Sequence, residues 1–258
     1  MNGVLRSFFE NEKIEYFAST EIKKEFIISE RRLPEWAKYV TVFLIPYNTG
    51  LDEKRNVSRY AVSRDYHLYV KELKLKLEKK TNKDFCIFAD TSPFDERRLA
   101  KHLSLGFIGQ NGLLINEKYG SFVFLGEIVT KERIDISGGE KSRRDECFGC
   151  GKCKAACPTK ALSGAGDCLS ELTQKKKTDE KDAELIKKHR LIWGCDICQE
   201  VCPHNIDISL SEIDFFYKDR LSYVTAEDIE KMSDEEFLSR AYSWRGKNVI
   251  LRNLSFKL

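Results

Sequence analysis

The sequence predicts an α+β protein, in which an N-terminal α/β domain with a mixed sheet and flanking helices precedes a small cysteine-rich domain and C-terminal helices. Three observations predict this order. Apolar β-rich runs alternate with amphipathic stretches in the first half, eight of the nine cysteines are crowded between residues 147 and 202, and helix-capping patterns follow. The glycine-containing linker at 137–140 suggests domains at 1–139, 140–210 and 211–258, the last packing on the other two.

β-rich runs predict the strands of the first domain. The run over 39–45 is apolar on both faces, so it is expected in the middle of a covered sheet. The run over 85–89 delivers Asp90 at its C-terminal end. Two further strands, over 112–115 and 122–130, are expected to be joined by a turn that contains glycine.

Apolar residues at helical spacing predict the helices. They indicate helices over 5–9, 66–77 and 99–105, and the second of these carries lysine and glutamate on the face expected in solvent. In the last domain, Thr225 and Ser233 each precede a carboxylate three residues later, which is the pattern of a capping box.

Composition favours an ordinary globular protein. The 258 residues are 41% hydrophobic and 33% charged, which allows a normal core and a polar surface. No apolar run reaches the roughly 20 residues that a membrane span needs, and the start lacks the apolar region of a signal peptide. We therefore expect a cytoplasmic protein with no membrane partner. The net charge of +3 is too small to indicate a nucleic-acid partner by itself.

Two cysteine runs carry the chemical signal. The first, Cys147 to Pro158, has the spacing C-x2-C-x2-C-x3-C-P, in which the fourth cysteine reaches across to a second iron–sulfur cluster. The second, Cys195 to Pro203, lacks a first cysteine, which Cys168 can supply. Eight thiolates suffice for two [4Fe–4S] clusters, so the middle domain is predicted to resemble a two-cluster bacterial ferredoxin. The crossover rule assigns one cluster to Cys147, Cys150, Cys153 and Cys202 and the other to Cys157, Cys168, Cys195 and Cys198.

Zinc and disulfides are the alternatives for these cysteines. Zinc ribbons prefer well-separated C-x2-C pairs and need no proline after a fourth cysteine. Disulfides need an oxidising compartment, to which nothing in the sequence points. The ninth cysteine, Cys86, lies in an apolar stretch and is expected to be a buried structural thiol.

Two clusters only transfer single electrons. The large first domain is therefore expected to bind the group that accepts these electrons. There the sequence resembles a known family, the cobalamin-dependent epoxyqueuosine reductases, whose motifs include R-Y-A-x-G-x-D-Y-H, V-D-T-G-P and G-x-x-G-K-N. The matches span about residues 36 to 254. In chain order they are Ser58-Arg59-Tyr60-Ala61 with Asp65-Tyr66-His67, Ala89-Asp90-Thr91-Ser92-Pro93, Gly106-Phe107-Ile108-Gly109-Gln110-Asn111, Tyr119-Gly120-Ser121-Phe122-Val123-Phe124-Leu125-Gly126-Glu127, Cys157-Pro158-Thr159-Lys160-Ala161-Leu162, Trp193-Gly194-Cys195-Asp196-Ile197-Cys198-Gln199 and Ser243-Trp244-Arg245-Gly246.

The resemblance implies a base-off cobalamin whose cobalt is reduced through the clusters. The implied substrate is the epoxide on the modified base at the tRNA wobble position, whose oxygen leaves as water. The family's proton donor maps onto Asp90. Independently, an epoxide oxygen leaves poorly unless an acid protonates it, and a carboxyl group at a buried strand end holds a proton readily. The alternative is an Asx-type turn that merely ends the strand.

The resemblance also implies a set of cobalamin contacts. For Leu114 and Leu125 the alternative is ordinary core packing, and Tyr60 could line the pocket or simply fill it. Imidazole is a common metal ligand, but the family leaves cobalt without a protein ligand, so neither His67 nor His102 is expected to bind it. The implied contacts are Ser58, Tyr60, Asp90, Leu114, Leu125, Ser170, Asp196 and Ile197.

The sequence departs from the family pattern at several positions. Gln110 replaces a lysine, Ser63 and Ser92 replace glycines, and the C-terminal helical repeats that help longer members hold tRNA are missing. The anticodon stem-loop would then be held by basic residues. These are Lys141, Arg143, Arg144, Lys175, Lys176, Lys177, Arg245 and Lys247.

Two other functions stay open from the sequence. One is a cobalamin and iron–sulfur reductase of a small molecule, similar to reductive dehalogenases. The other is a corrin-free electron-transfer protein. For the reductase we expect an external low-potential donor of the ferredoxin or flavodoxin type and a monomeric enzyme.

Overall fold

The computed structural model describes residues 1–50, 52–144 and 146–257. The chain divides into two compact units, each assembled from separated stretches. The first unit contains residues 1–47, 67–148 and 207–213, and the second contains 48–66, 149–206 and 214–258. The three-domain division at residues 139 and 210 stays a prediction.

The first unit contains a sheet with flanking helices. Its helices are α1 (Asn2–Asn11), almost all of α2 (Tyr66–Glu78) and α3 (Glu96–His102). Its strands are β1 (Phe17–Glu21), β2 (Tyr39–Pro46), β3 (Phe85–Phe88), β4 (Phe107–Ile108), β5 (Leu114–Ile115), β6 (Val123–Thr130) and β7 (Ser137–Gly138).

Among the described residues, the main sheet has the order β3-β6-β2-β1-β7, and each neighbouring pair is antiparallel. The predicted mixed sheet is therefore wrong. The helical crossover through α2 does set β2 and β3 in the same direction, as a parallel unit would. However, β6 lies between them and pairs antiparallel with both, so no parallel ladder forms in this sheet.

The two strands predicted over 112–115 and 122–130 are found as β5 and β6, and a turn closed by the backbone bridge between Asn116 and Gly120 joins them as expected. β5 pairs with β4 in a separate two-stranded sheet. The side chain of Asn116 stabilises the turn, because its oxygen accepts the amides of Lys118 and Tyr119 while its nitrogen donates to the carbonyl of Leu105. This tight loop ends β5 after two residues and ties it to the segment before β4.

Each face of the sheet buries an apolar layer. On one face, the Phe9 ring stacks on Phe17 at 4.5 Å and lies 5.3 Å from Phe43. Burying such side chains stabilises the fold by about 1.5–3 kcal/mol each. Gly126 is required here, because a Cβ atom at this position would lie 2.4 Å from the Phe43 ring. The next residue, Glu127, therefore points to the opposite face.

That opposite face of β2 and β6 packs under α3. Its apolar cluster includes Val42, Leu44, Val129, Leu99 and Ala100, which are all buried. The predicted helices at α2 and α3 are confirmed, although α3 begins three residues earlier than expected. Its first turn is capped by Asp95, whose side chain accepts the amide of Arg98.

The second unit is built from short helices. They are α4 (Lys152–Ala156), α5 (Leu169–Gln174), α6 (Glu180–Lys188), α7 (Ile197–Glu200), α8 (Ala226–Lys231), α9 (Asp234–Leu238) and α10 (Lys247–Ser255). Both predicted capping boxes are confirmed, at Thr225 for α8 and at Ser233 for α9. No helix in the described part of the chain combines the length and apolar character needed to cross a membrane.

The core of the second unit surrounds Trp193. This side chain is fully buried in one apolar cluster with Val57, Tyr242 and Ile250, which come from two distant parts of the sequence. Its indole nitrogen donates to the hydroxyl of Tyr60 at 2.9 Å. The residues that flank the second cysteine run are therefore fixed by long-range packing.

Candidate functional site

Seven of the eight predicted cluster ligands belong to the second unit, and all nine cysteines are thiols. Most of these cysteines lie in the short helices of the second unit or at their ends. Cys153 lies in α4, which packs against α7, where Cys198 lies. Cys168 precedes α5, and Cys157 ends α4. Cys147 is half-buried near the end of the middle stretch of the first unit.

The thiols of both runs act on one another electrostatically. Burial, together with nearby Cys168 and Cys198, raises the pKa of Cys195 to about 12. Burial likewise raises the pKa of Cys198 to about 12, with added contributions from Cys168, Cys153 and Cys157. A bound metal removes this penalty, because a coordinating thiol is deprotonated outright. Thiolate sulfurs are suitable ligands for an iron–sulfur cluster, but among the described residues no three His, Cys, Asp or Glu side chains are arranged to hold a metal ion.

Cys157 has the opposite electrostatic balance. Burial raises its pKa, but the amides of Leu162, Thr159 and Ala161 and the hydroxyl of Thr159 together lower it below the ordinary value. The Thr159 hydroxyl lies 3.7 Å from the sulfur. Lys160, which has φ 55°, forms a turn that brings these groups close to the sulfur of Cys157. Such donors stabilise a thiolate and tune the cluster that it binds.

Asp196 lies between two predicted ligands and is fully buried. Its Oδ2 atom is 3.1 Å from Nη2 of Arg55 and accepts the amide of Arg59 at 2.7 Å. Its Oδ1 atom accepts from Gln199 at 3.1 Å. Burial raises the pKa of Asp196, and Arg55 opposes that shift. Arg55 is also buried, and it pairs with Glu200 as well. This network fixes the backbone at the start of α7, whereas a cobalamin contact of Asp196 stays a prediction.

Ser58 and Tyr60 lie beside the same segment. The amide of Ser58 donates to the carbonyl of Trp193 at 2.8 Å. Gly194 has φ 72°, and a Cβ atom there would lie 2.1 Å from the Ser58 hydroxyl. Burial raises the pKa of Tyr60 well above its ordinary range. Only glycine therefore fits before Cys195, which holds this cysteine close to the Ser58 segment.

The remaining predicted cobalamin contacts differ in exposure. Ser170 and Ile197, in the second unit, are half-buried next to cysteines. In the first unit, Leu114 is buried in the apolar cluster and Leu125 is a half-buried neighbour of it. Packing thus explains Leu114 and Leu125, and their contact with a corrin stays a prediction. Ser170, Ile197 and Leu125 have surface left with which to touch a ligand.

Asp90 lies two residues after the end of β3, which is an edge strand. The buried strand end predicted for it is not found, because β3 is only half-buried and Asp90 is exposed. Its backbone is left-handed, with φ 62°. The amide of Asp90 donates to Oε1 of Glu96 at 3.0 Å, and the amide of Thr91 donates to the carbonyl of Ala89 at 2.7 Å. The turn therefore exposes the Asp90 residue to solvent, and two hydrogen bonds fix its backbone.

Sequence reasoning missed two carboxyl groups behind this turn. Glu127 is fully buried in the middle of β6, and Glu96 is the first residue of α3. Burial raises the pKa of Glu96 to about 7. Burial, followed by the proximity of Glu96, raises the pKa of Glu127 well above its ordinary value. A signal was available, because Glu127 is the single charged residue in the apolar run Val123–Thr130.

The contacts of Cys86 and His102 indicate structural roles for both side chains. Cys86 is half-buried against the apolar cluster of the first unit, and burial raises the pKa of its thiol. His102 lies 3.3 Å from Nζ of Lys23, and its ring centroid lies 5.0 Å from that of Phe26.

Comparison with known proteins supports one family. Residues 146–205 match a profile described as "4Fe-4S double cluster binding domain". A Lactococcus garvieae protein named epoxyqueuosine reductase is 36% identical over 248 residues, which cover 87% of this chain and 69% of the relative. The Leadbetterella byssophila protein of the same name is 32% identical over a stretch that covers 87% of this chain and 76% of the relative. The Cyclobacterium marinum protein of that name is 35% identical over a stretch that covers 75% of this chain and 66% of the relative.

Solved structures agree with this result. The epoxyqueuosine reductase of Streptococcus thermophilus superposes with a TM-score of 0.76 at 27% identity, covering 100% of this chain and 81% of that one. The fold is also shared with an epoxyqueuosine reductase solved with an epoxyqueuosine-modified tRNA stem loop (TM-score 0.76, 23% identity, 99% and 81% covered). The chain spans about two thirds of the length of the curated relatives that it matches. By sequence and by fold, this chain belongs to the epoxyqueuosine reductase family.

Proposed function

We propose that this protein reduces the epoxide of epoxyqueuosine at the wobble position of tRNA to give queuosine. The observation that carries the proposal is that Cys198 of the second run acts electrostatically on Cys153 and Cys157 of the first run, in a chain 36% identical to a protein named for this reaction. The oxidoreductase would use two [4Fe–4S] clusters and a base-off cobalamin.

The cysteines would hold the clusters in two crossed sets. The interactions of Cys168 with both Cys195 and Cys198 support their place in one set, and Cys157 joins it by the crossover rule. The other would comprise Cys147, Cys150, Cys153 and Cys202. When bound, the clusters would supply single electrons, and cobalamin a strongly reducing metal centre. The protein would bind the ligands, direct amide donors to Cys157 and keep Asp196 neutralised by Arg55.

Asp90 would donate the proton to the epoxide oxygen. Reduction to the alkene takes two electrons and two protons, and the oxygen leaves as water. Without an acid the oxygen would have to leave as an unstable anion. The outward left-handed turn supports this role, because an exposed carboxyl can reach a bound base.

Cobalamin contacts are proposed for Ser58, Tyr60, Asp90, Leu114, Leu125, Ser170, Asp196 and Ile197. The half-buried Ser170, Ile197 and Leu125 are the best candidates for direct contact through their side chains. The buried Ser58 and Asp196 would act by shaping the segment that bears Cys195 and Ile197.

Arg–aromatic pairs are the proposed contacts with the anticodon loop. Arg245 lies 3.8 Å from the Trp244 ring centroid, and Trp244 is 57% exposed. Arg144 covers the exposed ring of Phe148 at 4.6 Å. Unstacked RNA bases bind such aromatic and guanidinium planes. Lys175, by contrast, is paired with Asp167 and Asp182, so its charge is partly neutralised.

The direct test is turnover by the reconstituted protein. The loaded enzyme, given a low-potential ferredoxin or flavodoxin as donor, should convert epoxyqueuosine in an anticodon stem-loop to queuosine, as detected by nucleoside mass spectrometry. A corrin absorption band after loading would accompany this activity. Failure to convert the stem-loop despite an intact corrin band would reject the proposed substrate, and failure to bind corrin would reject the enzyme.

Cluster binding should depend on Cys198 and not on Cys86. Replacing Cys198→Ala removes a ligand, so we expect loss of about one cluster's iron and a changed iron–sulfur absorption spectrum. Cys86→Ala is the matched control, because that thiol packs on the apolar cluster of the first unit. Unchanged iron content in the Cys198 variant would contradict the ligand assignment.

A further inference from the structure

Two buried carboxyl groups stand behind the Asp90 turn in the first unit. Glu127 is paired across the sheet with Val42 on one side and Phe88 on the other, and it is fully buried. Glu96 begins α3, which packs on β6. A charged carboxylate in this setting has lost its water without gaining a cation, so the position is costly unless a proton is present.

The two carboxyl groups act on each other's pKa, so they lie close together. Both oxygens of Glu127 are buried without a hydrogen-bond partner among the described residues. Two carboxyl groups can hydrogen-bond to each other only when one of them carries a proton, because ionised carboxylates only accept. One proton held between the carboxyls satisfies both groups at once.

Glu96 connects this pair to Asp90. Its Oε1 atom accepts the Asp90 amide at 3.0 Å, and that amide belongs to a left-handed residue with φ 62°. Left-handed backbone is uncommon for residues other than glycine and persists where neighbouring groups fix it. The Asp90 carboxylate and the Arg97 guanidinium are the other charges that act on Glu96. The strands beside Glu127 contribute the apolar Val42 and Phe88.

We propose that Glu96 and Glu127 share one proton and act as a latch that fixes the backbone of Asp90. Neutral Glu127 donates to Glu96, and Glu96 in turn accepts the Asp90 amide. Both are positioning residues, because neither is placed against the substrate. The inference deepens the proposed function, in which Asp90 is the acid, and gives that acid a protonation-dependent support.

The latch should loosen as pH rises. Burial raises the pKa of Glu96 to about 7 and that of Glu127 well above its ordinary value. The proton on Glu127 is the last to leave the pair, so the latch holds while Glu127 is protonated, and its stabilising effect is lost as pH rises through the raised pKa of Glu127. Two adjacent carboxylates then repel each other, and Glu96 moves away from the Asp90 amide.

Hydrogen–deuterium exchange and infrared spectroscopy on the loaded enzyme test this directly. In the wild type, exchange at residues 89–92 should exceed the intrinsic increase as pH rises from 6 to 9. Glu127→Gln keeps a donor that cannot ionise, so this excess should vanish. The infrared band of a protonated carboxylic acid at pH 7 should be absent from the same variant. Glu132→Gln, which alters an exposed carboxylate just after β6, is the matched control and should change neither readout.

Glu96 variants test the link to Asp90. Glu96→Ala should speed exchange at residues 89–92 about tenfold, the order expected for one lost hydrogen bond. It should lower kcat by a similar factor with little change in KM. Glu96→Gln should restore both, because its amide oxygen can accept the Asp90 amide.

Two results would overturn the latch. One is an acid band that persists in Glu127→Gln, and the other is unchanged exchange in Glu96→Ala. If Glu96→Ala does not fold, the comparison of wild type with Glu127→Gln decides alone. Neither readout needs tRNA turnover. A protein that passes both but never converts the stem-loop would retain the latch and lose the proposed function.

Discussion

Asp90→Asn should reduce epoxide turnover by about 100- to 10,000-fold, the usual contribution of a general acid. Asparagine has the same shape and tolerates left-handed backbone, so the turn and its amide bond to Glu96 should persist. It has no proton to give at the carboxyl position. Single-turnover conversion of the epoxyqueuosine stem-loop measures the effect on chemistry.

The variant should otherwise resemble the wild type. Iron content should be unchanged, because Asp90 holds neither cluster, and the corrin band should remain, because asparagine keeps the shape of this one of eight proposed cobalamin contacts. Asp84→Asn is the matched control, since it makes the same change at an exposed residue just before β3. Turnover by Asp90→Asn equal to that of Asp84→Asn would remove Asp90 as the acid.

Arg55→Met should cause the largest loss of stability in the second unit. It leaves the buried carboxylate of Asp196 without its cation, which costs about 3–5 kcal/mol. For a protein of this size, that corresponds to a fall of roughly 10 °C in melting temperature. Because Asp196 precedes α7, which contains Cys198, iron should also be lost more rapidly on dilution into chelator.

The pH dependence gives this prediction a specific signature. Burial raises the pKa of Asp196 above its ordinary value of 3.8, and Arg55 opposes that rise. Without Arg55 the pKa rises further. The variant is therefore closest to wild type in acid, where Asp196 is protonated, and the gap should widen as pH rises toward neutrality. A gap that is constant between pH 5 and 8 would contradict this explanation.

Arg190→Met provides the control for Arg55. Arg190 also lies 3.2 Å from the carboxylate of Glu200, but its side chain is 47% exposed. Exposed ion pairs contribute about 0–1 kcal/mol, so this variant should melt close to wild type. Adding Asp196→Asn to Arg55→Met should restore part of the lost stability, because it removes the stranded charge.

Local patterns in the sequence were sufficient for the features that depend on spacing. The amphipathic helix α2 and the capping boxes at Thr225 and Ser233 each involve residues close together in the chain. Cysteine spacing even predicts that Cys157 should interact with Cys198, because the crossover is built into the motif. The exact ligand sets stay a prediction.

Long-range partners could not be predicted in this way. Arg55 meets Asp196 across 141 positions of sequence, and nothing in either neighbourhood identifies the other. Strand direction failed for the same reason, since the apolar pattern of β6 fits either orientation and only its insertion between β2 and β3 decides it. Glu127 was detectable as a charge in an apolar run, but its partner Glu96 was not.

The interleaving of the two units determines when each can form during synthesis. The packing around Trp193 joins Val57 to Ile250, so the iron-binding unit lacks part of its core until the last helix has left the ribosome. The early segment at 48–66 shares its unit with α10, so its full packing requires almost two hundred further residues to be made. This order favours cluster binding after α10 has been synthesised.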